Sequence, residues 1–225
     1  WAPVGVYLKG NFYAPCRRNG CKMELKQVWQ VVEGAGTSID GIELDIEDDP
    51  LGGVAKVICR EAAGRYDNLP LEPGDVVIDI GAHVGIISIY LAKRYPGIKV
   101  YAFEPVLANF QRLCRNLVVN RVEEVTAFNQ AVMNAAGRVL LYTNLTVNSG
   151  GGTTIFGSDG NAENAESTTL ADIFAEYGIE RCKLLKIDCE GSEYAILFSS
   201  EALLDRVDYL RGEFHINATL EAQGW

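Results

Sequence analysis

The amino-acid sequence predicts a doubly wound α/β fold, a largely parallel sheet with helices on both faces, preceded by a β-rich N-terminal region. Three observations carry this. LEPGDVVIDIG, beginning at Leu71, is a Pro-Gly turn followed by an uninterrupted apolar run, the pattern of a strand buried on both faces of a parallel sheet. From that point strand-like and helix-like segments alternate, and right-handed crossovers turn such a series into an open parallel sheet. Before Leu71, short apolar stretches such as VWQVV and VAKVICR are broken by Gly, Pro and acidic clusters at β-like intervals. The boundary is therefore placed at 70/71, with residues 1–70 a β-rich substrate or cap region and residues 71–225 the ligand-binding domain.

The elements follow in order. Residues 85–95 (GIISIYLAKRY) have helical spacing, carry basic groups near their end and are stopped by Pro96-Gly97. A second strand occupies 98–103. After Glu104-Pro105, the segment VLANFQRLCRNLVVN places Phe110, Leu113, Leu117 and Val118 on one helical face. A third strand is expected at 125–132, with a hairpin partner at 138–143. Residues 148–167 (NSGGGTTIFGSDGNAENAES) are too rich in Gly, Asn and Ser to pack along their full length and read as a mobile loop. A helix at 169–177 ends at Gly178, a buried strand fills 183–187, the turn DCEGSE leads into a helix at 192–204, and a last strand spans 209–215.

Composition excludes several classes. Twenty basic against thirty acidic side chains give a net charge of −10, which repels a phosphate backbone, so nucleic acid is disfavoured as a partner. The acidic surplus at 40–49 (DGIELDIEDD) reads as a solvated hairpin or strand edge. No apolar run reaches the roughly 18 residues of a membrane span. Nothing in WAPVGVYLKG marks export, and the expected location is cytoplasmic. Of the six cysteines, Cys59, Cys114, Cys182 and Cys189 sit where a thiol acts as a small hydrophobe, which suits a reducing compartment. Cys16 and Cys21 (CRRNGC) read as an unconnected loop pair.

In doubly wound sheets ligands bind beyond the carboxyl ends of the strands, where the strand order reverses. The first such end reads D-x-G-x-x-x-G, from Asp79 through Gly81 to Gly85. Gly81 allows a tight turn and close approach of a ligand, and Gly85 opens a helix whose free amides favour an anionic group. GAHVGI lacks the middle glycine of a dinucleotide fingerprint, so an amino-acid carboxylate is better served than a pyrophosphate. Glu104 ends the next strand, near the distance of about 20 residues at which an acid meets ribose hydroxyls.

On VVIDIGAHVGIISIYLA, VYAFEPVLANFQRLCRNLVVN, FNQAV, TLADIF, LLKIDCEGSEYAIL and GEFH, in that order, the chain resembles the FkbM family of S-adenosylmethionine-dependent methyltransferases. The resemblance covers residues 71–215, and the AFEP and KID-x-EG-x-E segments are its most specific parts. It implies a class I methyltransferase (Rossmann-like) sheet and S-adenosyl-L-methionine as cofactor. Asp79, Gly81, Gly85, Glu104 and Pro105 would hold that cofactor, with Glu104 on its ribose and the Asn129-Gln130-Ala131 turn beside the adenine. Asp188 joins the same set, and His83 stands where the family usually has Asn, at the methionine end. The acceptor implied is an oxygen on a carbohydrate or a secondary metabolite. Class I sheets also close with a further helix and an antiparallel strand pair. Only INATLEAQGW follows His215, so those strands are expected to be missing, with a homodimer one way to cover the edge.

Methyl transfer from a sulfonium needs alignment and a group that takes the acceptor's proton. Asp188 and Glu190 end one strand, and Glu213 and His215 another; members of each pair are two apart and share a side in extended chain. With an ordinary pKa of about 6.5, His215 is the expected general base, oriented by Glu213. Asp188 and Glu190 join it as catalytic candidates, or cap the next helix. A divalent metal is compatible with this cluster, but no spacing demands one. Specificity is expected from the N-terminal region and the 148–167 loop, with Tyr13, Trp29, Tyr66 and Tyr142 as candidates for stacking on the acceptor or for the core. Two alternatives stay open: a degenerate cofactor-binding interaction subunit, and a nucleotide-cofactor oxidoreductase, against which the missing glycine and the lack of a Tyr-x-x-x-Lys pair both speak.

Overall fold

The computed structural model describes residues 35–48, 54–143 and 161–215. A hairpin of β1 (Ala35–Ile39) and β2 (Ile42–Ile46) comes first, followed by α1 (Val54–Ala62). The central sheet takes β3 (Val76–Ile80), β4 (Lys99–Phe103), β5 (Val125–Phe128), β9 (Cys182–Ile187) and β10 (Val207–Gly212) in the order β10-β9-β3-β4-β5, every neighbouring pair parallel. Helices α2 (Ile86–Arg94), α3 (Leu107–Val119), α4 (Leu170–Glu176), α5 (Glu193–Ser199) and the single turn α6 (Glu201–Leu204) make the connections. A smaller sheet holds β6 (Ala131–Val132), β8 (Asn161–Thr168) and β7 (Gly137–Thr143), with β8 in the middle. Among the described residues no helix is long and apolar enough to cross a membrane.

The apolar run of β3 is continuous because both of its faces are covered. Val77, Val100, Ala102 and Leu184 face the layer formed by the hairpin, α1, α2 and α3, and Ile78, Ile80, Phe103, Leu185 and Ile187 face the layer that includes Leu170, Ile173, Phe174 and Ile196. Helix α2 is buried from Ile86 to Ala92 on every side, sandwiched between the sheet and the hairpin. The Phe103 and Phe128 rings stack across β4 and β5 with centroids 4.7 Å apart.

Several boundaries differ from the sequence expectation. VAKVICR is not a strand but the body of α1, whose Ala55, Cys59 and Ala62 fall on one buried helical face; VWQVV lies outside the described residues. The expected third strand is split at Asn129-Gln130 into β5 and β6. Strand β7 pairs not with it but antiparallel with β8, which occupies part of the segment expected to be a loop. Ladder hydrogen bonds do not require apolar side chains, and Ala165 supplies a buried contact beside Leu141. The rest of that loop lies outside the described residues, as do Cys16, Cys21, Tyr13, Trp29 and the end of the chain on which the expectation of missing strands falls. The helix at 192–204 breaks at buried Ser200. Strand β10 stops at Gly212, where a Cβ would lie 2.2 Å from the Ile187 carbonyl oxygen, so Glu213 and His215 follow the strand rather than end it. Cys59 and Cys182 are buried free thiols, as expected, and burial pushes Cys182 up to about 12.

The acidic hairpin is as expected for residues 40–48. Asp40 and Gly41 form its two-residue turn, both with positive φ (49° and 80°), the geometry of a type I′ turn. Two asparagines of α3 fasten it to the core. Asn116 accepts from the Glu47 amide (2.8 Å) and donates to the Glu47 and Val84 carbonyls (3.1 and 2.8 Å). Asn120 accepts from the Asp45 amide (3.0 Å) and donates to its carbonyl (2.7 Å). Side-chain amides thus do for β2 what a neighbouring strand would do. Asn116→Ala is expected to lower the unfolding free energy by about 2–4 kcal/mol, because it strands several buried backbone groups. Arg115→Ala, which removes a part-exposed ion pair with Glu47, is expected to cost about 1 kcal/mol. Urea denaturation of the two variants side by side checks the difference.

Candidate active site

The strand order reverses between β3 and β9, and a cleft of about 1090 Å³ opens beyond the carboxyl ends there. That is at the upper end of the range of ligand pockets, roughly 300–1000 Å³, and leaves room for two small molecules side by side. Of the residues singled out in the sequence, Gly81, His83, Glu104, Pro105, Gln130, Asp188, Glu190 and Glu213 line it. Asp79, Gly85 and Asn129 do not line it, and His215 adjoins it through the lining carboxylates of Glu190 and Glu213. Tyr66 lines it too, almost fully buried, and Val57, Arg65 and Phe214 contribute to its walls.

Glu104 follows β4, 5% exposed. One carboxylate oxygen accepts from the His83 amide (2.8 Å) and the other from the Val106 amide (2.9 Å). The Asn109 side chain also hydrogen-bonds to the carboxylate, which keeps acceptor capacity for a hydroxyl. Burial pushes its pKa up to about 7, against the backbone amides of Val106 and His83, which pull it down. Asn129 does not face the cleft. Its side-chain amide donates to the carbonyls of Glu104 and Pro105, both at 2.9 Å, and so fixes the turn that carries the acid.

The turn after β3 has positive φ at Gly81 (76°), His83 (51°) and Gly85 (89°). A Cβ on Gly81 would sit 1.8 Å from the Asp188 carbonyl oxygen, so only glycine lets the ends of β3 and β9 meet. Gly85 packs on Leu113 of α3 instead of facing the cleft. Asp79, 1% exposed, is likewise turned inward, accepting from the Ser88 hydroxyl (2.6 Å) and pairing with Lys186 (3.1 Å).

At the far end of the cleft, the groups beyond β9 and β10 come together, although on turns and not in extended chain; Glu190 has φ 55°. His215 Nδ1 lies 2.9 Å from Glu193 Oε1, and Nε2 lies 3.7 Å from both Glu190 and Glu213. The carboxylate that orients the imidazole is therefore Glu193, not Glu213 as expected from spacing. Glu193 is fully buried and also accepts the Cys189 and Gly191 amides. Burial pulls the His215 pKa down, but the hydrogen bond to Glu193 and the charges of Glu193, Glu190 and Glu213 outweigh it, and the net shift is upward. Burial together with Asp188, Glu193 and Glu213 also raises Glu190, against the pull of His215. One ligand atom from each of Asp188, Glu213 and His215 lies within 4.8 Å of the others, a spacing compatible with a divalent cation and equally with three polar groups facing water.

Two residues of the site escaped the reading of the sequence. Lys186 falls within the expected buried strand, where a cation inside an apolar run signals a buried partner. Glu193 lay in the quoted EG-x-E segment without a function of its own.

A parallel sheet in this order, with a left-handed glycine turn after the first of its strands and a carboxylate gripped by two amides after the second, is the class I methyltransferase fold. Residues 79–222 match the methyltransferase FkbM domain, more than half of the sequence, and the chain belongs to that family. It is 32% identical over 164 residues to methyltransferase sdnD of Sordaria araneosa, covering 59% of this chain and 62% of that protein. It is 34% identical over 160 residues to the 31-O-demethyl-FK506 methyltransferase FkbM of Streptomyces tacrolimicus, covering 58% and 61%. The chain thus spans about three fifths of the length of these curated relatives. Among solved structures, a SAM-dependent methyltransferase from Agrobacterium tumefaciens aligns with 10% identity and a TM-score of 0.45, over 86% of this chain and 56% of that one.

The buried acid is expected to titrate near neutrality. In the ligand-free protein the Glu104 side-chain carboxyl carbon should show an NMR inflection at about pH 7, absent in Glu104→Gln. An inflection below 5 would mean that the amides outweigh burial.

Proposed function

We propose that this protein is an S-adenosylmethionine-dependent O-methyltransferase that methylates a hydroxyl of a carbohydrate or secondary-metabolite acceptor. The single observation that carries the reading is the buried Glu193 carboxylate on His215 Nδ1, which leaves Nε2 as the acceptor of an alcohol proton at one end of a cleft whose other end is the Glu104 carboxylate. Family membership supports the methyl transfer.

The residues present fit the cofactor. Beyond the His83 and Val106 amides and the Asn109 side chain, Glu104 keeps acceptor capacity for a ribose hydroxyl, Gly81 lines the space beside it, and Gln130 and Pro105 border the space for a base. The acidic far end suits a donor that carries positive charge. When bound, the cofactor supplies an electrophilic methyl group on a sulfonium. His215 takes the acceptor's proton at Nε2. Glu193 keeps the proton on Nδ1 and, with Glu190 and Glu213, stabilises the imidazolium that results. Asp188 lines the cleft between the two halves and aligns the bound molecules by accepting their polar hydrogens. Tyr66 and α1 wall the acceptor side, which gives residues 1–70 a share in specificity.

Calorimetry should show binding of S-adenosylmethionine and S-adenosylhomocysteine but not of NAD, and a labelled-methyl screen over sugars, glycolipids and polyketides should identify the acceptor. Binding of NAD alone would replace the reading with a redox one. The rate should require neutral His215, whose pKa lies above its ordinary value, so kcat should rise with pH through an apparent pKa above 6.5. Glu193→Gln should move that limb to lower pH, and His215→Asn should reduce kcat by about 10²–10⁴-fold while S-adenosylhomocysteine binding persists. A full rate in His215→Asn would remove the base from the mechanism.

The two halves should respond differently to acid. Binding of 5′-methylthioadenosine, which has no carboxylate or amine of its own, should be constant above pH 7 and weaken as Glu104 protonates below about 7. The loss should approach about tenfold per pH unit, and Glu104→Gln should flatten it.

A further inference from the structure

Lys186 occupies the floor of the cleft and has no part in the chemistry described so far. It lies on β9 directly opposite Asp79 of β3 and is 6% exposed. Its ammonium pairs with Asp79 Oδ1 at 3.1 Å and donates to the Gly81 carbonyl at 2.8 Å. Asp79 is held in turn by the Ser88 hydroxyl at the start of α2. Burial pulls the lysine pKa down, but Asp79 and Asp188 outweigh it, and the group stays charged.

A buried ion pair is a weak source of stability, because the attraction does little more than repay the desolvation of two charges. Well-packed apolar side chains would hold β3 to β9 as firmly. What they would not supply is a donor for the Gly81 carbonyl. The amides of Gly81 and Ala82 both donate to the Phe103 carbonyl, at 3.0 Å each, which ties the turn to β4. Toward β9, the Asp188 amide donates to the Ile80 carbonyl at 3.0 Å, and the Lys186 ammonium reaches the next carbonyl, that of Gly81. Two residues further on, His83 adopts φ 51°, a conformation that L side chains rarely take, and its amide then points at Glu104. A backbone in that state needs outside contacts to hold it.

We propose that Lys186 is the positioning residue of the donor turn, its ammonium clamping the Gly81 carbonyl to β9 so that the His83 amide stays on the Glu104 carboxylate. The proposal rests on the donor-site reading above and extends it to a residue on a different strand. Lys186 acts through the turn, and the same lysine places its charge 4.0 Å from Asp188, at the junction of the two halves of the cleft.

The test is the double variant Asp79→Asn with Lys186→Met, which removes both charges at similar volume and leaves the net charge unchanged, compared with Asp79→Asn alone, which keeps the lysine donor. Lys186→Met alone would bury an unpaired carboxylate and risk misfolding. Backbone amide exchange at residues 82–84 is measured without ligand, at a temperature where all variants are fully folded. Exchange in β4 serves as the reference, and S-adenosylhomocysteine affinity is measured in parallel. The double variant should exchange about tenfold faster at His83 with β4 unchanged, and should bind about tenfold more weakly, as loss of one buried hydrogen bond implies. Asp79→Asn should lose distinctly less on both counts.

Unchanged exchange and affinity in the folded double variant would overturn the proposal. So would an Asp79→Asn variant that reproduces the entire loss, since the aspartate and not the lysine would then hold the turn. If the wild-type protein binds no S-adenosylhomocysteine, the donor reading fails, and exchange at His83 still decides for or against the clamp.

Discussion

The site depends on how closely two strand ends approach. Where β3 and β9 diverge, Gly81 lies against the Asp188 carbonyl with no space for a methyl group between them. A doubly wound sheet always opens a crevice where its order reverses, but the width of that crevice is a matter of side chains. Here the backbones touch at the base, so the cleft is narrow at its floor and the groups from β3, β4, β9 and β10 share one space. The same contact forces the left-handed turn, and the turn delivers the His83 amide to Glu104.

Electrostatics divides that space. At the Glu104 end the carboxyl group is fixed by neutral backbone donors, and burial holds it near the point of protonation at neutral pH. At the His215 end, Glu193, Glu190 and Glu213 gather around one imidazole, and the proton is drawn onto the ring. The first end is a single acid held by fixed donors; the second is one base among three acids. Burial raises the pKa of Glu104 among amides and apolar walls, and burial with neighbouring carboxylates raises that of Glu190 beside a base.

Much of this was legible in the sequence where local pattern and burial agree. The apolar run of β3 and the acid at the end of β4 are local signals and fall where expected; of the face expected on α3, Leu113 and Leu117 are buried and Phe110 packs on the core, but Val118 is only half-buried and Asn109 and Asn116 share the buried side. Helix α1 differs from the expectation because VAKVICR, five apolar residues interrupted by Lys56 and Arg60, is short enough to satisfy a strand about as well as a helix. Strand β8 was missed because NAENAES has no apolar alternation, its order coming from pairing with β7. The partner of His215 was misassigned for a different reason. Spacing along β10 puts Glu213 nearest in sequence, yet the carboxylate that reaches Nδ1 comes from the first turn of α5, a long-range placement that no local spacing encodes.

The buried charges Glu193 and Lys186 show why such placements matter. Both carry a desolvation cost that apolar residues would avoid. Each spends its hydrogen bonds on backbone beside the cleft, Lys186 on the Gly81 carbonyl and Glu193 on the Cys189 and Gly191 amides. The two turns that bound the crevice are therefore each fastened by a buried ion of opposite sign to the backbone dipoles that it meets. The charged side chains buried among the described residues, Asp79, Glu104, Lys186 and Glu193, all lie at or just beyond the strand ends that bound the cleft, where geometry must be held.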